Sequence, residues 1–167
     1  MRTFVILILL GASVILQMSL LPAFRPLGVV PNLVLVMVVL ISLHAATSQA
    51  LLGAILSGFV IDLANGTSFG LWMGVLMLVA LIVGLMHRAG LELASGVAAS
   101  ILVTGGTLVM TGVIWMSLFA NIGVRVPLSL VRSLAFELVL NLILVMLLRR
   151  FVRWAVVGSG GRQESGG

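Results

Sequence analysis

The sequence predicts an all-α fold, a polytopic membrane bundle of six transmembrane helices, on three observations. The first is composition: 62% of the 167 residues are apolar, and the charged residues are nine arginines and four acids. A soluble domain carries about 25% charged residues, and much of its surface faces water whatever its fold. The solvent expected here is lipid. The second is segmentation, since apolar runs of about the 20 residues that a 30 Å bilayer core requires alternate with short polar or turn segments. The third is the placement of the arginines, which stand singly or in pairs at the ends of those runs.

The first run covers residues 3–21 and ends in a turn between Pro22 and Pro26. It follows Arg2 as a signal peptide would, but it exceeds the roughly 7 to 15 residues of such an apolar region and no small-x-small cleavage site follows. It is expected to be retained. The second run, residues 29–45, places Pro31 in its first turn, where a missing N–H matters least. The third, residues 49–63, is short and stops at an Asn65-Gly66 turn signal. The fourth spans 69–86, the fifth 93–119 and the sixth 127–148, and the Gly- and Ser-rich stretch 158–167 reads as a disordered cytoplasmic tail. Loops this short leave no room for an extramembrane domain.

With six crossings and the N-terminus inside, Arg2, Arg88, Arg149, Arg150, Arg153 and Arg162 fall on the cytoplasmic side, and Arg25, Arg125 and Arg132 on the outer side. The bias favours both termini in the cytoplasm. The Arg149–Arg153 cluster reads first as a stop-transfer anchor, Trp154 beside it is expected at the interface, and the cluster should also attract anionic lipid of the inner leaflet.

Cysteine is absent, which excludes disulfides, thiolate nucleophiles and zinc–thiolate sites. The arginines form no stripe interleaved with aromatics, so nucleic acid is not an expected partner. There is no Gly-rich phosphate loop before a lysine and no Ser/His/Asp set. His44 and His87 come from different loops without a carboxylate at helical spacing. No enzyme activity, cofactor or metal is expected.

An ionisable group in an apolar run costs about 2.5–3.5 kcal/mol on insertion scales and must face protein or water. Glu137 is such a group in the sixth run, and Asn141 follows at i+4, within hydrogen-bonding reach. Arg132 lies about 140° away around the same helix. A proton relay or cation site is conceivable, but no second carboxylate stands at similar depth, so a packing lock is the expected role. Asp62 ends the third run and leads through Leu63-Ala64-Asn65-Gly66-Thr67-Ser68-Phe69-Gly70 into the fourth. Its carboxylate is placed to accept from amides of that turn or to cap the fourth helix, a role also open to Thr67 and Ser68. Small residues recur as Gly53-x-x-x-Ser57-Gly58, Gly70-x-x-x-Gly74, Ala80-x-x-x-Gly84 and Ala94 to Ser100, a spacing that lets membrane helices approach closely.

Pro31-Asn32-Leu33, Gly53 and Gly58, and Asp62-Leu63-x-x-Gly66-x-x-x-Gly70 together resemble the MreD family of bacterial rod-shape-determining membrane proteins. The likeness extends to the length, the span count and a last helix with Asn141 and a closing basic cluster. Asn32 stands where the family often has an acid. The resemblance implies a non-enzymatic subunit of the cell-elongation machinery in the cytoplasmic membrane. It would hold MreC by its membrane helix and periplasmic domain, and through MreC link MreB filaments to the peptidoglycan glycosyltransferase and transpeptidase. Pro31, Asn32, Gly53, Gly58, Asp62, Gly66, Phe69, Gly70, Arg132, Glu137 and Asn141 are then the structural or interface candidates. The family is related in fold to the six-helix substrate-binding subunits of energy-coupling-factor vitamin transporters, which supply an alternative. Such a subunit needs an outer pocket under a longer loop. Here the first outer loop is residues 22–28, tyrosine is absent, and Gly11-Ala12-Ser13 in the first run lacks the Ala-x-x-x-Ala pattern that docks those subunits.

Overall fold

The computed structural model describes residues 2–20, 31–65, 70–90, 96–122 and 128–158. Six α-helices account for nearly all of them, and no strand occurs among the described residues. They are α1 (Arg2–Leu20), α2 (Leu33–His44), α3 (Thr47–Asn65), α4 (Leu71–Arg88), α5 (Gly96–Ile122) and α6 (Leu128–Gly158). Each overlaps one of the expected apolar runs. The windows Thr47–Ala64 in α3 and Leu71–Arg88 in α4 are long and apolar enough to cross a membrane, with mean hydropathy 1.5 and 1.9.

The pattern of contacts defines the architecture. α2 packs against every other helix, and the remaining five touch only their neighbours in the order α1, α3, α4, α5, α6 and back to α1. Five helices therefore form a closed ring around a central one. Every residue of α2 from Val34 to Leu43 is buried, on all sides of the helix. An all-apolar helix of this kind, Leu33-Val34-Leu35-Val36-Met37-Val38-Val39-Leu40-Ile41, has no polar face to turn outward. The ring helices are one-sided: α3 buries Gly53, Ala54, Ser57, Gly58, Ile61 and Asp62 and exposes Leu52, Leu56, Phe59, Val60 and Leu63.

Two boundaries differ from the sequence expectation. α2 has only 12 residues, about 18 Å of helix, and it begins after Pro31 rather than before it. Asn32 is its N-cap, the side chain accepting from the Leu35 N–H at 3.1 Å. The cap turns the first helical residue into Leu33, so Pro31 precedes the helix instead of opening its first turn. α6 continues past the expected end at Leu148 to Gly158. Val145, Val152 and Val156 are fully buried and continue the inward stripe that starts at Asn141, so packing carries the helix on while Arg149, Arg150, Arg153 and Trp154 face out.

Candidate functional site

Two clamps of polar side chains on helix ends account for most of the buried polarity. The first joins α3 to α4. Gly70, the residue before α4, has φ +94°, a left-handed conformation that glycine adopts without the steric penalty of a Cβ. A glycine at this position brings no side chain to cap the helix. The acceptor comes from α3 instead: Asp62 Oδ2 accepts from the Gly70 N–H at 3.0 Å and the Met73 N–H at 3.1 Å, while Oδ1 accepts from the Trp72 N–H at 3.0 Å. Three of the orphan donors that any helix start leaves are satisfied by one carboxylate. Its negative charge also meets the positive end of the α4 dipole. Asp62 is 2% exposed, so water contributes little.

Gly58 makes that reach possible. It lies one turn before Asp62 on the same face of α3, and a Cβ there would collide with Met73 Cα, lie 2.7 Å from Met73 N and 3.0 Å from Trp72 C. These are backbone atoms of the same residues whose amides Asp62 holds. The missing side chain sets the distance between the helices, and the carboxylate fixes their register.

The second clamp holds the start of α2 from three sides. The Asn32 N–H donates to Asn141 Oδ1 of α6 at 2.8 Å, and the Val34 N–H donates to Gln17 Oε1 of α1 at 2.8 Å. With the Asn32 side chain on the Leu35 N–H, three otherwise orphaned amides find partners inside the ring. Asn141 Nδ2 donates onward to Thr107 Oγ1 of α5 at 3.0 Å, and that hydroxyl donates to Val103 O at 2.8 Å. Asn32 Nδ2 meets Met110 Sδ at 3.0 Å. Asn141 is 0% exposed and Thr107 1%, so each bond stands in place of one to water.

Asp62 caps the fourth helix as the sequence suggested, with Gly70 rather than Thr67 or Ser68 at the N-cap position. Asn32 and Asn141, singled out separately, are hydrogen-bonded to each other. The expected Glu137–Asn141 pair is replaced, because Asn141 spends its amide on Asn32 and Thr107, and Glu137 is half-buried on α6. Gly66, Phe69, Thr67, Ser68 and the side chain of Arg132 lie outside the described residues. Gly53 faces α1, where a Cβ would strike Leu10, and Gly84 faces Thr47 of α3. Gly74, though part of a Gly-x-x-x-Gly pair, has open space beside it. Gln17, Thr107 and Met110 complete the second clamp; the first two stand out in the sequence only as an amide and a hydroxyl inside apolar runs, and Met110 carries no such mark.

No family model, curated protein or solved structure matches this chain. What the site can do follows from its chemistry. The carboxylates among the described residues are Asp62 and Glu137, on different helices, and no group of three or more His, Asp or Glu side chains gathers there. Asp62, Asn32 and Asn141 are engaged on backbone amides, a hydroxyl and a thioether, and these bonds link α3 to α4 and α2 to α5 and α6.

Asn141→Leu is expected to destabilise the fold by about 1–3 kcal/mol, the penalty for leaving a buried donor such as the Asn32 N–H unpaired. Thr107→Val should cost less, because its hydroxyl donates only to its own helix and the loss falls on one Asn141 N–H. Unfolding midpoints in mixed detergent would rank them. Equal, negligible effects would show that the α2 start finds other partners.

Proposed function

We propose that this chain is a non-enzymatic membrane scaffold of the MreD kind, a subunit of the bacterial cell-elongation complex that holds MreC. In this reading all six helices lie in the cytoplasmic membrane with both termini inside. The orientation rests on the six-to-three bias of arginines, and a periplasmic signal from a C-terminal reporter would overturn it. Exposed apolar residues along α3 and along α4, where Met77, Leu78, Leu81, Ile82 and Leu85 face outward, support burial in lipid, since soluble monomers rarely expose apolar patches of that size.

The observation that carries the scaffold reading is the convergence of Gly58, Asp62 and Gly70. Three of the residues that carry the resemblance meet at one joint between α3 and α4. The centre of the ring is filled by α2, and among the described residues Asn32 and Asp62 are spent on helix starts, while Ser13, Ser42 and Ser57 bond carbonyls of their own helices. The surfaces left for function are then the outward helix faces, which suit a partner's membrane helix.

Purified protein is expected to bring MreC with it from co-expressing cells. It should show no heat stabilisation by thiamine, riboflavin or biotin, although a ligand at a hundredfold excess over its Kd adds about 2.7 kcal/mol to a folded protein. A clear thermal shift with a vitamin, without MreC recovery, would favour the transporter subunit instead.

A further inference from the structure

Between α5 and α6 the outer surface opens into a groove of about 590 Å³, lined by Val97, Ser100, Ile101 and Thr104 of α5 and by Leu142, Val145, Met146 and Arg149 of α6. The α6 residues recur at i, i+3, i+4 and i+7, the spacing of one helix face, and the charged one is the last. The groove therefore has a mostly apolar length, with the hydroxyl residues Ser100 and Thr104 on its α5 wall, and one cationic end. Leu142 to Arg149 spans roughly 11 Å of helix, close to the depth of one leaflet of a 30 Å core. Arg149 lies about 17 Å along the helix from the midpoint of the apolar run 127–148, which is headgroup depth. Arg150 and Arg153 are exposed beside it. Of the described carboxylates, Asp62 is held by α4 amides and Glu137 is about 18 Å away along α6.

We propose that this groove binds one anionic phospholipid of the inner leaflet, an acyl chain lying between α5 and α6 and the phosphate on the Arg149 guanidinium. A guanidinium presents a planar fork of donors that matches phosphate oxygens. A partner's apolar helix in the same groove would cover the apolar length and leave that fork unmatched, so the charge favours the lipid. The site rests on the membrane reading and is independent of the scaffold reading.

The test is lipid retention by the full-length protein, measured by native mass spectrometry after titration with phosphatidylglycerol or phosphatidylcholine. The expected result is preferential retention of one phosphatidylglycerol. Arg149→Gln should weaken it about fivefold, the contribution of one arginine near an anionic surface. Ile101→Trp should abolish it by filling the groove with Arg149 intact, and Ile101 is 65% exposed, so this change does not disturb the core. Arg153→Gln, outside the groove, should retain it, and glycerol 3-phosphate should not displace the lipid, which separates a chain-anchored lipid from a bare phosphate. Equal retention of the two lipids, or no effect of Arg149→Gln and Ile101→Trp, would overturn the site. So would a photocrosslinker at position 101 that captures a protein helix in cells. Release of the protein from carbonate-washed membranes would overturn the membrane reading and the site together.

Discussion

Replacing Gly58 with alanine should destabilise the protein by roughly 3–5 kcal/mol, from overpacking and from damage to the cap beyond it. The new Cβ meets the backbone of Trp72 and Met73, with Met73 N at 2.7 Å, and a backbone cannot rotate away as a side-chain tip can. α3 and α4 must therefore move apart. Such a movement draws Asp62 away from amides it holds at 3.0–3.1 Å, where hydrogen bonding falls off quickly. Gly74→Ala provides the control, because open space adjoins it and a helix-interior alanine is favoured over glycine by roughly 0.5–1 kcal/mol. The measurement is the unfolding midpoint of each variant in mixed detergent. A Gly58→Ala midpoint equal to wild type would mean that the helix contact adjusts freely and that the glycine is incidental.

Asp62→Ala should be of similar size, about 3–5 kcal/mol, since it leaves three amides at the start of α4 without their acceptor and each buried unsatisfied donor costs about 1–3 kcal/mol. The estimate sits below the sum because a shifted turn can recover part of the loss. Asp62→Asn keeps one carbonyl oxygen but turns an NH₂ toward the amides, so it should fall between wild type and alanine. If Gly58 and Asp62 serve one joint, the double variant should cost less than the two single changes added together. On the scaffold reading both variants lose MreC recovery, and cells dependent on them become round. Normal rods, with normal membrane levels of Asp62→Ala and unchanged MreC recovery, would show that the cap is ordinary turn chemistry. Strict additivity would show that the two residues act separately.

The sequence by itself determined the helices and some of the residues that join them. Apolar runs of membrane length separated by short polar segments left little freedom in the positions of six helices. The sparse polar residues inside or at the ends of those runs, Asn32, Asp62 and Asn141, had to find hydrogen bonds because burial without a partner is costly. Asp62 was legible as a helix cap because it stands a short turn before α4. The Asn32–Asn141 bond was not, since it joins residues 109 apart and nothing local sets that pairing.

Only the tertiary structure decided that five helices close into a ring around α2. In water, an amphipathic pattern tells the inner face of a helix from the outer one. On the membrane reading, lipid and protein interior are both apolar, and the pattern carries little of that information. Leu33–His44 is the most apolar of the six helices, which suits an inner place, but that Val34 to Leu43 are buried on every side follows only from the ring closing around them. Small residues are equally ambiguous by spacing: Gly58 stands against a neighbouring backbone and Gly74 against open space. The difference lies in how close another helix comes, a distance set by the packing of the whole ring.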